Sequence, residues 1–409
     1  MKNLFITLLL LVTANQVFAQ RISSDLIMNH ISYLSSDELG GRGTSTKEEL
    51  KAAKYIANQF EAMHLEAKGN KGYYYDFLYK LSANIHDTNT IGVPSKKGRN
   101  VVAFLNNGAK QTVVIGAHYD HLGYGFDHNS LDPNPENKIH NGADDNASGV
   151  AGVIELARYF SLNGIKENYN FLFMTFSGEE LGLIGSKKWC ENPTIPLSSI
   201  NYMINMDMIG RLNDSTKKLL IYGVGTSPDW INAIEKTNHY FSIKNDSAGI
   251  GPSDQTSFYL KDIPVLHFFT GQHSDYHKPT DDFNKVNIQG EALILEMIID
   301  LVYHLDAKPK LAFLQTKNNE STKMSFKVTM GIMPDYTFEE KGLRLDGVTE
   351  NKPASNAGLQ QGDIILKMGD TDILNIQDYM KSLNSFNKGD EVQVLIQRRG
   401  EMMIKVVRF

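Results

Sequence analysis

The sequence of 409 residues contains one cysteine, Cys190. A single thiol cannot form a disulfide within the chain, and a cluster of thiolates around a metal ion is excluded as well. Any metal ion that this chain binds must therefore be held by histidine, aspartate and glutamate side chains.

Clustered positive charge is also missing. The chain carries 41 Lys and Arg against 47 Asp and Glu, for a net charge of −6, and it has no long basic run. Because proteins that bind duplex nucleic acid concentrate lysine and arginine on one surface, we do not expect nucleic acid to be the main partner. The hydrophobic fraction of 41% and the charged fraction of 22% are ordinary for a globular chain.

Long apolar runs are absent after residue 20. No segment in that part of the chain approaches the ~18 apolar residues of a membrane-spanning helix. At the N-terminus, Lys2 precedes a short apolar run at 4–12, and residues 17–19 have the small-x-small pattern of a signal-peptidase site. This pattern predicts a signal peptide over residues 1–19, cleaved after Ala19, and an exported protein that is periplasmic or extracellular. No cysteine follows the apolar run, so a lipoprotein anchor is not expected.

The middle of the chain alternates between strand-like and helical patterns. Apolar runs suited to buried strands occupy residues 112–117, 171–176, 202–206 and 263–269. Residues 148–160 and 292–305 repeat apolar side chains at helical spacing, and residues 45–48 resemble a capping box that begins an earlier helix. The alternation predicts an α/β fold with a doubly wound, mostly parallel sheet and helices on both faces.

Side chains with metal-binding chemistry follow each of these apolar runs. Ligands of open α/β sheets bind outside the carboxyl ends of the strands, so these groups should meet at one edge. Carboxylates and imidazoles crowded together repel one another unless cations neutralise them, and zinc binds both groups. The residues are, in chain order, His118, Asp120, Asp144, Asp145, Glu179, Glu180, Asp207 and His277.

In combination these motifs resemble the co-catalytic di-zinc aminopeptidases of metallopeptidase family twenty-eight. The resemblance covers about residues 35–305. It rests on the order of five motifs: His-x-Asp at 118–120, Gly-Ala-Asp-Asp-Asn-Ala-Ser-Gly at 142–149, Glu-Glu at 179–180, the strand-ending Asp207 and the late His277. The stretch at 35–43 also looks like members of this family.

The resemblance implies a zinc exopeptidase fold with two zinc ions per chain. His118 and Asp207 would hold one ion, Glu180 and His277 would hold the other, and Asp145 would bridge both. A cis peptide would join Asp145 to Asn146.

The resemblance also implies three catalytic roles. Glu179 would be the general base, Asp120 would hydrogen-bond the second nitrogen of His118, and Tyr276 would donate a hydrogen bond to the reaction intermediate. Asp144 is predicted to be a hydrogen-bonding loop residue rather than a ligand. Four further histidines, interpreted as ordinary loop residues, receive no role: His121, His128, His140 and His273.

The implied activity is that of an exported metallopeptidase that removes N-terminal residues from peptides with a metal-activated water. Two alternatives exist on the same fold. A glutaminyl cyclase-like acyltransferase typically works with one zinc ion, and the full two-metal ligand set disfavours it. A non-catalytic binding protein is disfavoured by the presence of every ligand together with Glu179.

The last part of the chain has a different texture. Residues 353–365 resemble the Pro-Ala-x-x-Ala-Gly-Leu-x-x-Gly-Asp segment of PDZ domains, with Gly358 and Gly362 suited to turns of positive φ and residues 364–366 to a buried strand. We predict a peptidase domain at 20–306, a linker at 307–324 and a small β-rich PDZ-like domain at 325–409. Because residues 330–333 depart from the usual carboxylate-binding loop, binding of an extended peptide and a pure docking role both remain open.

Overall fold

The structure, a computed structural model, describes residues 21–80, 93–126, 129–316, 328–334, 338, 340–348, 352–374 and 376–409. The predicted signal peptide, His128 and residues 317–324 of the predicted linker lie outside these ranges. Within the described ranges, no helix combines the length and the apolar character needed to cross a membrane.

A nine-stranded sheet forms the centre of the larger unit. Its strands run in the order β1-β3-β5-β4-β6-β9-β7-β8, and β2 pairs with β3. The strands are β1 (Glu66–Ala67), β2 (Tyr74–Tyr79), β3 (Lys96–Leu105), β4 (Gln111–His118), β5 (Tyr169–Phe176), β6 (Ile200–Met206), β7 (Lys218–Tyr222), β8 (Ser242–Asp246) and β9 (Val265–Phe269).

The central strands β5, β4, β6 and β9 are parallel to their neighbours in this group, as predicted. Antiparallel pairing occurs towards the edges, where β3 joins β5 and β7 joins β9, so the sheet as a whole is mixed. Every residue of β5, β6 and β9 is buried. Strands that are covered on both faces consist of continuous apolar residues, and for this reason these strands could be predicted from the sequence.

Helices cover both faces of the sheet, which confirms the predicted layering. One face packs against α1 (Ser24–Leu34), α2 (Lys47–Ala62), α3 (Gly149–Leu162), α5 (Trp230–Thr237) and α7 (Ile288–Asp306). The other face packs against α4 (Ile184–Glu191) and α6 (Gln255–Tyr259), which contribute Trp189 and Phe258. The capping side chain of α2 is Thr46, one residue later than the start of the predicted capping box, and it accepts a hydrogen bond from the Glu49 amide.

The C-terminal unit is a smaller antiparallel β structure, which agrees with the predicted PDZ-like fold. Gly358 and Gly362 have φ of 75° and 87°, as the turn residues require. The strands run in the order β10-β11-β12-β14-β15, with β13 beside β12. The elements are β10 (Ile332–Pro334), β11 (Leu343–Val348), α8 (Pro353–Asn356), β12 (Ile364–Met368), β13 (Thr371–Asp372), α9 (Ile376–Leu383), β14 (Glu391–Arg398) and β15 (Glu401–Arg408).

Residues 308–316, in the first part of the predicted linker, pack against the larger unit. The Leu311 side chain is buried, and its amide donates a 2.7 Å hydrogen bond to Asn201 Oδ1. The Leu314 amide donates to the Thr226 carbonyl, and the Thr316 amide donates to the Tyr259 hydroxyl. These contacts extend the folded larger unit to about Thr316.

Candidate metal centre

One edge of the large sheet collects the side chains predicted to carry chemistry. His118 is the last residue of β4, Glu179 and Glu180 come shortly after β5, and Asp207 directly follows β6. His277 lies in the loop after β9. Because these four strands are adjacent and parallel, their carboxyl ends open on the same side and bring the residues together.

Asp145 lies at the centre of this edge, and its two carboxylate oxygens face different partners. Oδ1 is 3.3 Å from His118 Nε2, and this nitrogen is also 3.3 Å from Asp207 Oδ1. Oδ2 is 3.3 Å from His277 Nε2, which in turn lies 3.1 Å from Glu180 Oε2. Two atoms that share a tetrahedral zinc ion at about 2.0–2.1 Å lie about 3.3 Å apart. The donor set therefore fits two cations that share Asp145.

The loop that carries Asp145 is held to the end of β6 and to the segment after β9. The Asp145–Asn146 peptide bond is cis, as the resemblance implied. Asn146 donates to the Met206 carbonyl and accepts from the amides of Gly149 and Met208. Asp281 Oδ2 accepts hydrogen bonds from the main-chain amides of Asp144 and Asp145, each at 3.0 Å. These contacts hold in place the main chain that carries the Asp145 carboxylate.

Asp144 points away from the predicted ligands, in line with its predicted loop role. Its Oδ1 accepts hydrogen bonds from the Gly210 amide at 2.7 Å and from the Ser148 hydroxyl at 3.1 Å. Its Oδ2 lies 3.1 Å from His273 Nε2. His273, to which the sequence assigned no role, therefore contributes to the loop network.

The predicted contact between Asp120 and His118 requires a correction. His118 Nδ1 lies 3.1 Å from the main-chain carbonyl oxygen of Asp120, whereas the carboxylate Oδ1 is 3.8 Å away. The carboxylate accepts hydrogen bonds from the Thr44 hydroxyl and the Glu179 amide, which hold it out of reach. The Asp120 side chain therefore orients the segment of the predicted base rather than the imidazole of His118.

Glu179 and Tyr276 line the pocket in front of Asp145, together with Asp207 and His277. With no cation bound, burial and the negative charge of Asp207 raise the pKa of Glu179 well above its usual range, although His118 opposes the shift. Burial alone would raise the pKa of Glu180 as well, but the charge of His277 beside it lowers that pKa to about 2. The two consecutive glutamates thus have opposite electrostatic environments.

The Tyr276 ring stacks on His277 with 3.9 Å between centroids.

Comparison with known families agrees with this geometry. The sequence profile of Peptidase family M28 matches residues 100–302, and that of the PDZ domain matches residues 317–405. The chain contains a peptidase family M28 domain and, C-terminal to it, a PDZ domain. The M28 match contains all five predicted metal ligands and Glu179.

Curated relatives of this M28 chain include aminopeptidases. Aminopeptidase YwaD of Bacillus subtilis is 25% identical over 59% of this chain and 51% of its own length. The uncharacterized protein YfbL of Escherichia coli is 26% identical over 50% of this chain and 71% of its own length. Leupeptin-inactivating enzyme 1 of Streptomyces exfoliatus is 31% identical over 44% of this chain and 37% of its own length. The chain thus spans about half or less of the length of two of these relatives.

Solved structures share the fold at low sequence identity. The LapA aminopeptidase of Legionella pneumophila has a TM-score of 0.53 and 20% identity, covering 70% of this chain and 72% of that one. The glutaminyl cyclase of Bacteroides thetaiotaomicron has a TM-score of 0.56 and 18% identity, covering 69% of this chain and 98% of that one. At these identities the likeness concerns the fold alone.

Arg42 is a contributor to this M28 site for which the sequence indicated no role. Its guanidinium is buried and donates to four main-chain carbonyls at 2.5–3.0 Å, those of Leu34, Tyr119, Asn141 and Gly142. Burial lowers the pKa of Arg42 to about 10, while nearby acids oppose the shift, Asp145 first among them. Arg42 therefore ties the His118 segment to the Asp145 loop and places a positive charge behind the carboxylates. The sequence feature that could have indicated a role for Arg42 is its position within residues 35–43, the stretch that resembles family members.

His121 is the second such residue. No sequence pattern distinguished it from a solvated loop histidine, yet the structure buries it beside Glu180 and Asp145. A group formed by these three residues has one ligand atom of each within 4.8 Å of the others. His121 therefore belongs to the site.

Proposed function

We propose that this protein is an exported two-zinc aminopeptidase, in which His118 and Asp207 hold one ion, Glu180 and His277 hold the other, and Asp145 bridges them. The observation that carries the proposal is the division of the Asp145 oxygens between two ligand pairs at 3.1–3.3 Å. Family membership and the aminopeptidase relatives support a peptidase reaction.

Glu179 is the proposed general base. Bound zinc ions would supply an activated water of pKa near ~7 and a positive charge for the developing oxyanion. Glu179 stands in the same pocket but outside the four short ligand contacts, so its carboxylate is available to accept the proton of the water and pass it to the leaving amine. Asp120 holds the Glu179 amide, and Tyr276 is the proposed donor to the intermediate.

An acidic pocket suits a substrate with a free amino terminus. Glu179 and Asp207 line the pocket, and both lie where a protonated amine would find negative charge. The apolar side of the same pocket, formed by Met208, Phe269 and Tyr276, would receive the N-terminal side chain. We propose peptides with free N-termini as substrates, and an extended peptide as the ligand of the PDZ domain.

The domain boundaries also remain proposals. We propose that residues 1–19 are removed on export, that residues 20–306 with the packed segment up to Thr316 form the peptidase domain, and that the PDZ domain begins near residue 325. The supporting contacts are those of Leu311, Leu314 and Thr316 on the larger unit.

The test is zinc content together with substrate turnover. We expect two zinc ions per chain by atomic emission, hydrolysis of aminoacyl anilides, and little hydrolysis of the same peptides after N-acetylation. A chain that binds two zinc ions but cuts acetylated peptides internally at comparable rates would contradict the exopeptidase assignment.

Glutaminyl cyclisation is the second candidate, favoured by the fold likeness to a bacterial glutaminyl cyclase. A peptide with N-terminal glutamine distinguishes the two reactions. An aminopeptidase releases free glutamine, whereas a cyclase releases ammonia and leaves the peptide intact. Ammonia release with one bound zinc ion would establish the cyclase.

A further inference from the structure

The site contains a histidine that the proposed ligand set does not use. His121 lies three residues after His118, and its side chain is completely buried. Its Nδ1 is 2.7 Å from Glu180 Oε1 and 3.7 Å from Asp145 Oδ2. The His121 ring meets the His277 ring edge-on, with 5.9 Å between centroids. His121 and the proposed zinc ligand His277 therefore face different carboxylate oxygens of Glu180.

We propose that His121 is a positioning residue that orients the Glu180 carboxylate for metal binding. The inference rests on the proposed two-zinc function. The two oxygens of Glu180 have different neighbours: Oε1 faces His121 Nδ1 at 2.7 Å, and Oε2 faces His277 Nε2 at 3.1 Å. One oxygen is thus occupied by His121, which leaves Oε2 directed at the metal position.

The distances separate a hydrogen-bond donor from a metal ligand. The four contacts between proposed ligands measure 3.1–3.3 Å, close to the about 3.3 Å between atoms that share a tetrahedral zinc ion. The 2.7 Å contact of His121 is instead the length of a charge-assisted hydrogen bond. Its 3.7 Å separation from Asp145 is longer than the ligand spacing.

The position of a proton on the ring follows from the carboxylate that Nδ1 faces. An ionised carboxylate only accepts hydrogen bonds, so the nitrogen that faces Glu180 Oε1 must carry a proton. Nε2 is buried and has no hydrogen-bond partner among the described residues. The ring is therefore held by one polar contact, the Nδ1–H bond to Glu180.

Packing fixes the ring in the orientation that this bond requires. The His121 amide donates to the Arg42 carbonyl, which anchors the main chain. Gly142 lies against the ring: a Cβ added there would stand 2.5 Å from His121 Cδ2, and Gly142 has a φ of +55°. A side chain at residue 142 would displace the ring, so the loop that carries Asp145 also seats His121. Groups that orient a metal ligand commonly contribute 10–100-fold to metal affinity.

The test is the zinc affinity of His121 variants, measured by competition with a chromophoric chelator on the full chain. An asparagine can place its amide nitrogen near the Nδ1 position, whereas a glutamine places it near Nε2. We expect His121→Ala and His121→Gln to lower the affinity for one of the two zinc ions by about 10–100-fold. In His121→Asn, both zinc affinities should stay within a few-fold of the wild-type values.

His30→Ala is the matched control, because His30 is also buried and makes one 2.7 Å contact through Nδ1, to the Tyr55 hydroxyl. It should lower the melting temperature and leave both zinc affinities unchanged. Circular dichroism of each zinc-free variant shows whether the chain is folded. If His121→Ala fails to fold, the comparison of His121→Asn with His121→Gln decides.

Two results would overturn the inference. Unchanged zinc affinity in His121→Ala and His121→Gln would reduce His121 to a packing residue. Equal loss of one ion in all three variants would make His121 a direct ligand. A wild-type chain that binds one zinc ion would instead refute the two-metal function. The affinity of the same three variants for that single ion would then show whether His121 positions its ligand.

Discussion

The carboxyl edge of the large sheet and the core of the PDZ domain bury charge in very different ways. At the sheet edge, carboxylates are crowded around Asp145, and the positive charge behind them comes from Arg42 and from histidines. In the described part of the PDZ domain, Asp363 is the buried carboxylate, and Arg398 binds it through two nitrogens at 2.6 and 2.8 Å. Apart from Ser382, the other buried residues in the described part of that domain are hydrophobic.

This difference separates buried charges that are neutralised within the fold from buried charges that need a bound cation. The buried Asp363 is neutralised by the partly buried Arg398, so this pair satisfies its own charges. A cluster in which buried carboxylates outnumber the imidazoles is electrostatically unfavourable unless a cation binds to it, since burying unpaired charge is costly. The stability of the PDZ domain should therefore not require a bound cation, whereas the stability of the sheet edge should increase when metal binds. Four predictions test this contrast, from the largest expected effect to the smallest.

The first prediction removes the charge that both metal positions share. Asp145→Asn keeps the size of the side chain and takes away the negative charge between His118 and His277. We expect one or both zinc ions to be lost and turnover of an aminoacyl anilide to fall below detection, because both ligand pairs lose their common member. Zinc content by atomic emission and the initial rate are the measurements.

Asp144→Asn is the matched control for this change. Asp144 is adjacent and equally buried, but its oxygens bind the Gly210 amide, Ser148 and His273. It should cost about 1–3 kcal/mol of unfolding free energy and retain both ions. Two zinc ions in Asp145→Asn and none in Asp144→Asn would show that the wrong aspartate was assigned as the bridge.

The second prediction concerns the base. Glu179→Gln should retain two zinc ions and lose about 10²–10⁴-fold in kcat, because an amide cannot accept the proton of the water. The neighbouring change Glu180→Gln should lose an ion instead, since Glu180 Oε2 is 3.1 Å from His277 Nε2. The two variants separate catalysis from metal binding within one dipeptide. Near-normal turnover in Glu179→Gln would refute the proposed role.

Much of the large sheet could be predicted from the sequence, and the reason is burial on both faces. The predicted strand at 112–117 is observed as Gln111–His118, and that at 202–206 as Ile200–Met206. The strands β7 and β8 were not predicted. β8 has no fully buried residue and reads as a polar segment, so it gives no apolar signal. Its position depends on pairing with β7, which no local pattern encodes.

The site shows the same limit at the level of single residues. The convergence of the proposed ligands could be predicted, because they come after strands that the sequence makes visible. The burial of His121 could not be predicted, because it depends on Arg42 and Gly142, which lie 79 residues upstream and 21 residues downstream in the chain. The carboxylate of Asp120 was assigned to His118 from a motif, whereas Thr44 and the Glu179 amide determine where it points.

The third prediction compares the buried Arg42 of the larger unit with Arg398 of the PDZ domain, which is partly buried and binds the buried Asp363. Arg42→Met should destabilise the peptidase domain by about 3–5 kcal/mol, because four carbonyls lose their donor and the carboxylates lose a buried cation. Arg398→Met should cost about 1–3 kcal/mol in the PDZ domain and leave zinc content and anilide turnover unchanged. Urea unfolding, followed separately by zinc release and by far-ultraviolet circular dichroism, distinguishes the two units. A change under about 1 kcal/mol in Arg42→Met would remove Arg42 from the electrostatic balance of the site.

The fourth prediction removes the PDZ domain, and the position of the cut decides the result. A chain that ends after Thr316 keeps the Leu311, Leu314 and Thr316 contacts with the peptidase unit, and the proposed metal ligands all lie before the cut. We expect it to bind two zinc ions and to hydrolyse an aminoacyl anilide with kcat and KM within about two-fold of the full chain, because the PDZ core is built from its own residues.

A chain that ends after Leu305 is the matched comparison, since it lacks the same domain and the packed segment as well. It leaves the Asn201 amide oxygen and the Tyr259 hydroxyl without the amides of Leu311 and Thr316, and it exposes the apolar surface that Leu311 covers. Each lost buried hydrogen bond costs about 1 kcal/mol, so this chain should melt at a lower temperature than the one ending after Thr316. If the longer truncated chain loses anilide turnover while both ions stay bound, the PDZ domain forms part of the active-site wall, and the separation of the two units is wrong. If only long peptides show a raised KM, the PDZ domain acts by holding the substrate, as the proposed peptide ligand requires.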